Sequence, residues 1–63
     1  MIRYKIETKK LTAIFETRAE TLAVFHTILH FIHVHKYIKL IEINGRIETI
    51  KMHLKDDNTH VDN

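Results

Sequence analysis

Three histidines, His26, His30 and His33, fall at i, i+4 and i+7, and two imidazoles one helical turn apart can chelate a transition metal. A closed structural zinc site takes four ligands. Only His35, His53 or a carboxylate such as Glu20 is left to complete one, and no recognised ligand spacing is present. The same residues suit a polar helix face that uses histidine, and that reading is preferred. The third option is a surface whose histidines charge together between roughly pH 5 and 7 and weaken an interface they share. An acid–base pair can be drawn from His53 with Glu48 or Glu20, but nothing in the sequence marks a pocket around them. Other chemistries are closed by composition. The chain has no Cys, Ser, Gln, Pro or Trp, and Gly45 is its only glycine. There is therefore no thiolate or serine nucleophile, no disulfide framework and no glycine-rich phosphate loop. The expectation is a non-enzymatic chain with no metal and no cofactor.

The basic residues pose a different question. Arg3, Lys5, Lys9, Lys10, Lys39 and Lys51 are the candidate nucleic-acid contacts, because an antiparallel sheet or hairpin can enter a groove. Glu7, Glu16, Glu42 and Glu48 interleave with them, and no run of aromatics offers a stacking platform, so a mixed-charge solvated surface is the simpler reading. Charge is +3 over residues 1–18, −1 over 19–35, +3 over 36–55 and −3 over 56–63, giving a body of +5 and an acidic tail. The tail has one apolar residue, Val61, and no periodicity. It is expected to be disordered, leaving residues 1–55 as a single small domain.

The elements that must position these groups follow from periodicity. Ile2, Tyr4 and Ile6 alternate with Arg3, Lys5 and Glu7, the two-residue repeat of a half-buried strand. A turn at Lys9-Lys10 brings Leu11, Ala13 and Phe15 onto the face of Tyr4 and Ile6, although two lysines are poor turn residues and one long helix from residue 9 is the alternative. Thr17-Arg18-Ala19-Glu20 reads as a capping box and places a helix at 18–35. Its apolar stripe is Leu22, Phe25, Ile28, Leu29 and Ile32, widened by Val24 and Phe31. Asn44-Gly45, between Tyr37–Ile43 and Arg46–Leu54, is a strong hairpin signal. A three-residue loop with Gly45 left-handed pairs Glu42 with Arg46 and Ile38 with Ile50.

The expected fold is α+β, in the order ββαββ. It is an antiparallel four-stranded sheet with one helix on one face, around a core of Ile2, Tyr4, Ile6, Phe15, Leu22, Phe25, Leu29, Ile32, Ile38, Leu40, Ile50 and Met52. Phe31, Tyr37, Ile41 and Ile47 are left over as interface residues. A chain of this size buries only roughly 60% of its unfolded surface, so a homodimer is expected as well as a larger cytosolic protein partner. Residues Met1 to Lys10 lack the unbroken apolar core of a signal peptide, and no stretch reaches the ~20 apolar residues of a membrane span, so the expected location is the cytoplasm. The helix lacks the basic polar face that would hold it at anionic lipid. A chain without catalytic equipment but with surplus apolar strand surface and a charged tail is expected to act by binding a larger protein and modulating or inhibiting it. Ten Ile and seven Lys suggest an AT-rich coding sequence, as in many low-GC bacteria and their phages, and hence a phage or mobile-element origin.

Overall fold

The computed structural model describes residues 1–56. Its elements are β1 (Ile2–Thr8), β2 (Thr12–Phe15), α1 (Arg18–Leu29), α2 (Ile32–His35), β3 (Tyr37–Asn44) and β4 (Ile47–Lys55). The four strands form one antiparallel sheet in the order β2-β1-β3-β4. The architecture is therefore the expected α+β arrangement, with α2 as an extra single turn. Seven residues of the expected tail lie outside the described ones. Asp56 does not: it is buried, and its N–H donates to the Lys36 carbonyl oxygen at 2.9 Å.

The first hairpin forms in the expected register, Tyr4 opposite Phe15 and Ile6 opposite Ala13. Thr8 supplies what Lys9-Lys10 lack. Its Oγ1 accepts the backbone N–H groups of Lys10 at 3.1 Å and Leu11 at 3.0 Å, while its own N–H donates to the Leu11 carbonyl at 2.8 Å. A hydroxyl that gathers the N–H groups ahead of it is the threonine form of a side-chain-stabilised turn.

The second hairpin departs from expectation. Asn44 pairs with Ile47, so the loop is the two-residue Gly45-Arg46, and Glu42 lies opposite Thr49 instead of Arg46. Gly45 takes φ 65° and Arg46 does not, the pattern of a type II′ turn, whose twist suits antiparallel strands. A β-bulge then inserts Lys51 between Ile50, opposite Ile41, and Met52, opposite Leu40. One extra residue flips the alternation. The two-residue loop has already set Ile50 opposite Ile41, on the face away from the helix, and the bulge then brings Met52 opposite Leu40 and Leu54, not Ile50, opposite Ile38.

Thr17 caps α1, its Oγ1 accepting the Glu20 N–H at 3.2 Å, but the expected capping box is only half formed, since the Glu20 carboxylate does not accept the Thr17 N–H. The helix stops at Leu29 and not at His35. An 18-residue helix would run about 27 Å, longer than the ~23 Å of a seven-residue strand, and the chain must be back beside Thr8 to begin β3. The last turn tightens, the Phe31 N–H bonding the Ile28 carbonyl at 2.8 Å, and α2 carries the chain to Lys36. There φ is 73° and the Lys36 N–H donates to Ile32.

The core is Ile6, Phe25, Ile28, Ile38 and Leu40, with Phe15, Leu22, Val24, Leu29 and Ile32 packed around it. Three expected members are exposed instead: Ile2, at the end of the β1–β3 ladder opposite Asn44; Ile50, because the two-residue loop sets it opposite Ile41 on the open face; and Met52, because it stands on an uncovered strand. Tyr4 is half-buried. Thr21 is buried in the stripe, and its hydroxyl is satisfied by donating to the Thr17 carbonyl at 2.7 Å.

Candidate protein-interaction surface

A helix with its side chains is about 10 Å wide, whereas four strands at a spacing of about 4.8 Å span about 14 Å. One helix therefore leaves part of such a sheet bare. Because α1 leaves β2 and returns to β3, it lies over β2, β1 and β3, and the bare strand is β4. All nine residues of β4 are exposed. On the helix side the register places Ile47, Thr49, Met52 and Leu54, with Ile47 68% and Met52 41% exposed.

Between α1 and β4 runs a cleft of about 380 Å³. Leu22, Leu40, Met52 and Tyr4 give it an apolar floor, and Arg18, Glu42 and Lys51 a charged rim. Lys51, the bulge residue, leans to this side and holds Glu42 at 3.7 Å. Both side chains keep solvent contact, so the pair contributes at most a few tenths of a kcal/mol, by the usual scale of about 0–1 for surface ion pairs. The arrangement suits an apolar side chain flanked by a polar group. It holds no nucleophile and base in hydrogen-bond reach of each other.

The opposite, open face carries Arg3, Lys5 and Glu7 of β1, Tyr37, Lys39, Ile41 and Ile43 of β3, and Glu48, Ile50, His53 and Lys55 of β4. Ile41 is 4% exposed although no helix covers it. Lys5 and Glu48 explain this. They reach over β3 from the strands on either side and meet at 3.1 Å, lying across Ile41 and Ile43. Of the four apolar residues marked for an interface, Ile41 is thus a buried residue, Tyr37 is half-buried, and Phe31 and Ile47 are exposed on separate elements. Ile47 shares the helix side with Met52, not the face of Tyr37 and Ile41, again because of the loop and bulge. The signal that was missed is Met52, which periodicity assigned to the core, with Leu54 beside it on the same strand.

The basic residues separate likewise. Arg3, Lys5 and Lys39 share the open face, Lys51 lies on the other, and Lys9 and Lys10 form the β1–β2 turn. That turn adjoins α2, since the Lys9 N–H donates to the His35 carbonyl at 3.3 Å. One end of the sheet therefore gathers Lys9, Lys10, Lys36, Lys39 and Lys55. Lys36, Tyr37, Lys39, His53 and Lys55 line a shallow hollow of about 420 Å³ there. Lys39 Nζ stands 5.6 Å from the Tyr37 ring centre, and Tyr37 and His53 meet edge to face at 6.1 Å.

His26, His30 and His33 do not share one helix, because α1 ends between them. All three are exposed, and among the described residues no three or more metal-ligating side chains are grouped to hold an ion. Nor is any helix among them long and apolar enough to cross a membrane. No protein-family model, no curated protein and no solved structure matches this chain.

Proposed function

We propose that this chain is a small non-enzymatic interaction protein, working as a homodimer, that binds a larger cytosolic protein in the cleft between α1 and β4 and thereby modulates or inhibits it. The observation that carries the reading is the bare helix side of β4, where Met52 lines the cleft and Ile47 and Leu54 stand exposed on the same face of the strand. An apolar strip beside a formed cleft with a polar rim is the anatomy of an interface core. The partner's matching feature is an apolar side chain beside a carboxylate, received between Arg18 and Lys51. The test is recovery of a protein from bacterial lysate by the tagged chain, with nuclease present, compared with the Met52→Asp and Ile47→Asp variants. Both positions are solvent-accessible, so the variants are expected to keep the native circular dichroism and lose the partner. Equal recovery by all three chains removes the cleft from the interface.

The lysine-rich end supports a second reading, a DNA- or RNA-binding regulator. In that case nucleic acid replaces protein in the eluate, and affinity falls with salt at about 0.9 log units per phosphate contact on duplex DNA. Lys39→Ala and Lys55→Ala would then weaken binding while Met52→Asp would not.

A further inference from the structure

The self-association in that reading has a specific geometry. We propose that β4 pairs antiparallel with β4 of a second copy about a twofold axis, Ile47 lying against the partner's Leu54, Thr49 against the partner's Met52 and Glu48 against the partner's His53. The product is one continuous eight-stranded sheet with both α1 helices on the same side.

Three features of β4 carry this. It is a sheet edge, nine residues long and exposed throughout, and among the described residues no strand pairs with its outer side, whereas the other edge, β2, has four residues. A long edge with unpaired N–H and C=O groups is a template for another strand. Edges are commonly guarded by charge and by bulges, and β4 has both, but its charges are polarised. Glu48 stands near the start of the strand and Lys51, His53 and Lys55 toward its end. A parallel copy sets like against like, while an antiparallel copy sets the acidic end of each strand against the basic end of the other.

The bulge selects the register. Residues directly opposite in an antiparallel ladder share a face. Ile47, Thr49, Met52 and Leu54 lie on the helix side, and Glu48, Ile50, His53 and Lys55 on the open side, because Lys51 inverts the alternation between them. The proposed pairing keeps every side chain on its own face except at the central Ile50–Lys51 pair. It also sets the most exposed apolar residue of the strand, Ile47, against an apolar partner from the other chain.

The test uses the full chain. Light scattering is expected to give twice the 7.5 kDa of one copy. The chain has no cysteine, so an Ile47→Cys, Leu54→Cys double variant reports contact between copies: seven residues of one strand separate these positions by about 23 Å, beyond the ~7 Å a disulfide spans between Cα atoms. Oxidation is expected to yield covalent dimers, while Thr49→Cys with Leu54→Cys, which reports a displaced register, yields far fewer. Glu48→Lys, which also breaks the bridge to Lys5 within the chain, is expected to weaken association about tenfold, and His53→Glu, added to it, to restore association without restoring that bridge. These two residues lie too far apart within one chain for that rescue to be internal. A mass of 7.5 kDa overturns self-association while leaving the cleft testable by partner recovery. A doubled mass without the 47–54 cross-link, or with the 49–54 cross-link in its place, overturns the β4 pairing or its register.

Discussion

The Thr8 hydroxyl shows how one side-chain oxygen can stand in for favourable turn residues. It is 5% exposed and takes two backbone N–H groups, which leaves its hydrogen for the Leu11 carbonyl at 3.3 Å or His35 Nδ1 at 3.1 Å. Thr8→Val keeps the shape and removes those acceptors, so it is expected to cost about 1–3 kcal/mol, the range for stranding buried polar groups. Thr21→Val is the contrast. That hydroxyl only donates to Thr17 O, which still accepts the Thr21 N–H at 3.2 Å, so its loss is expected to cost well under half as much. Urea midpoints of the two variants check the order. At this scale the sequence was partly legible. Thr17 showed itself through its spacing from Glu20, whereas Thr8 was hidden, because a hydroxyl that caps a turn becomes recognisable only when the strand it ends is known. The interface residues divided for a similar reason: Ile41 looked uncovered by alternation, and a lysine and a glutamate from two other strands cover it.

Among the elements, the order ββαββ was readable because alternation, a capping residue and Asn-Gly are local signals. The register of the second hairpin was not, since Asn44-Gly45 suits more than one loop length and the Lys51 bulge is decided by how β4 lies against β3. The end of α1 was hidden too, because no glycine or proline marks it and the limit is the length of the sheet beneath. Two backbone positions now distinguish strain from accommodation. Lys36 holds φ 73° with a full side chain, a conformation costing about 1–3 kcal/mol, so Lys36→Gly is expected to stabilise by up to about 1 kcal/mol after the extra freedom glycine gains in the unfolded chain. Gly45 holds φ 65° with open space around it, so Gly45→Ala is expected to destabilise by about 1–2 kcal/mol from backbone strain and not from a clash. Opposite shifts in melting temperature are the signature, and shifts of the same sign refute it.

For the molecule as a whole, the mismatch between one helix and four strands decides what is left for function. That a small core would leave apolar residues over was legible from length and composition; which strand carried them was not, because the placement of α1 depends on where its connections leave and rejoin the sheet. The bare strand has a kinetic consequence as well. β4 is held by a single ladder and has no helix over it, so it can peel away while β1, β3 and α1 remain assembled, a sub-global opening that requires less free energy than complete unfolding. Amide hydrogen exchange should therefore divide the sheet: fast at β4 and slow along the β1–β3 ladder, where Ile6 and Leu40 face each other beneath Phe25. If copies join along β4, its outward amides slow as protein concentration rises while those of β2 do not, and the strand that opens most readily in one copy becomes the most protected seam of two.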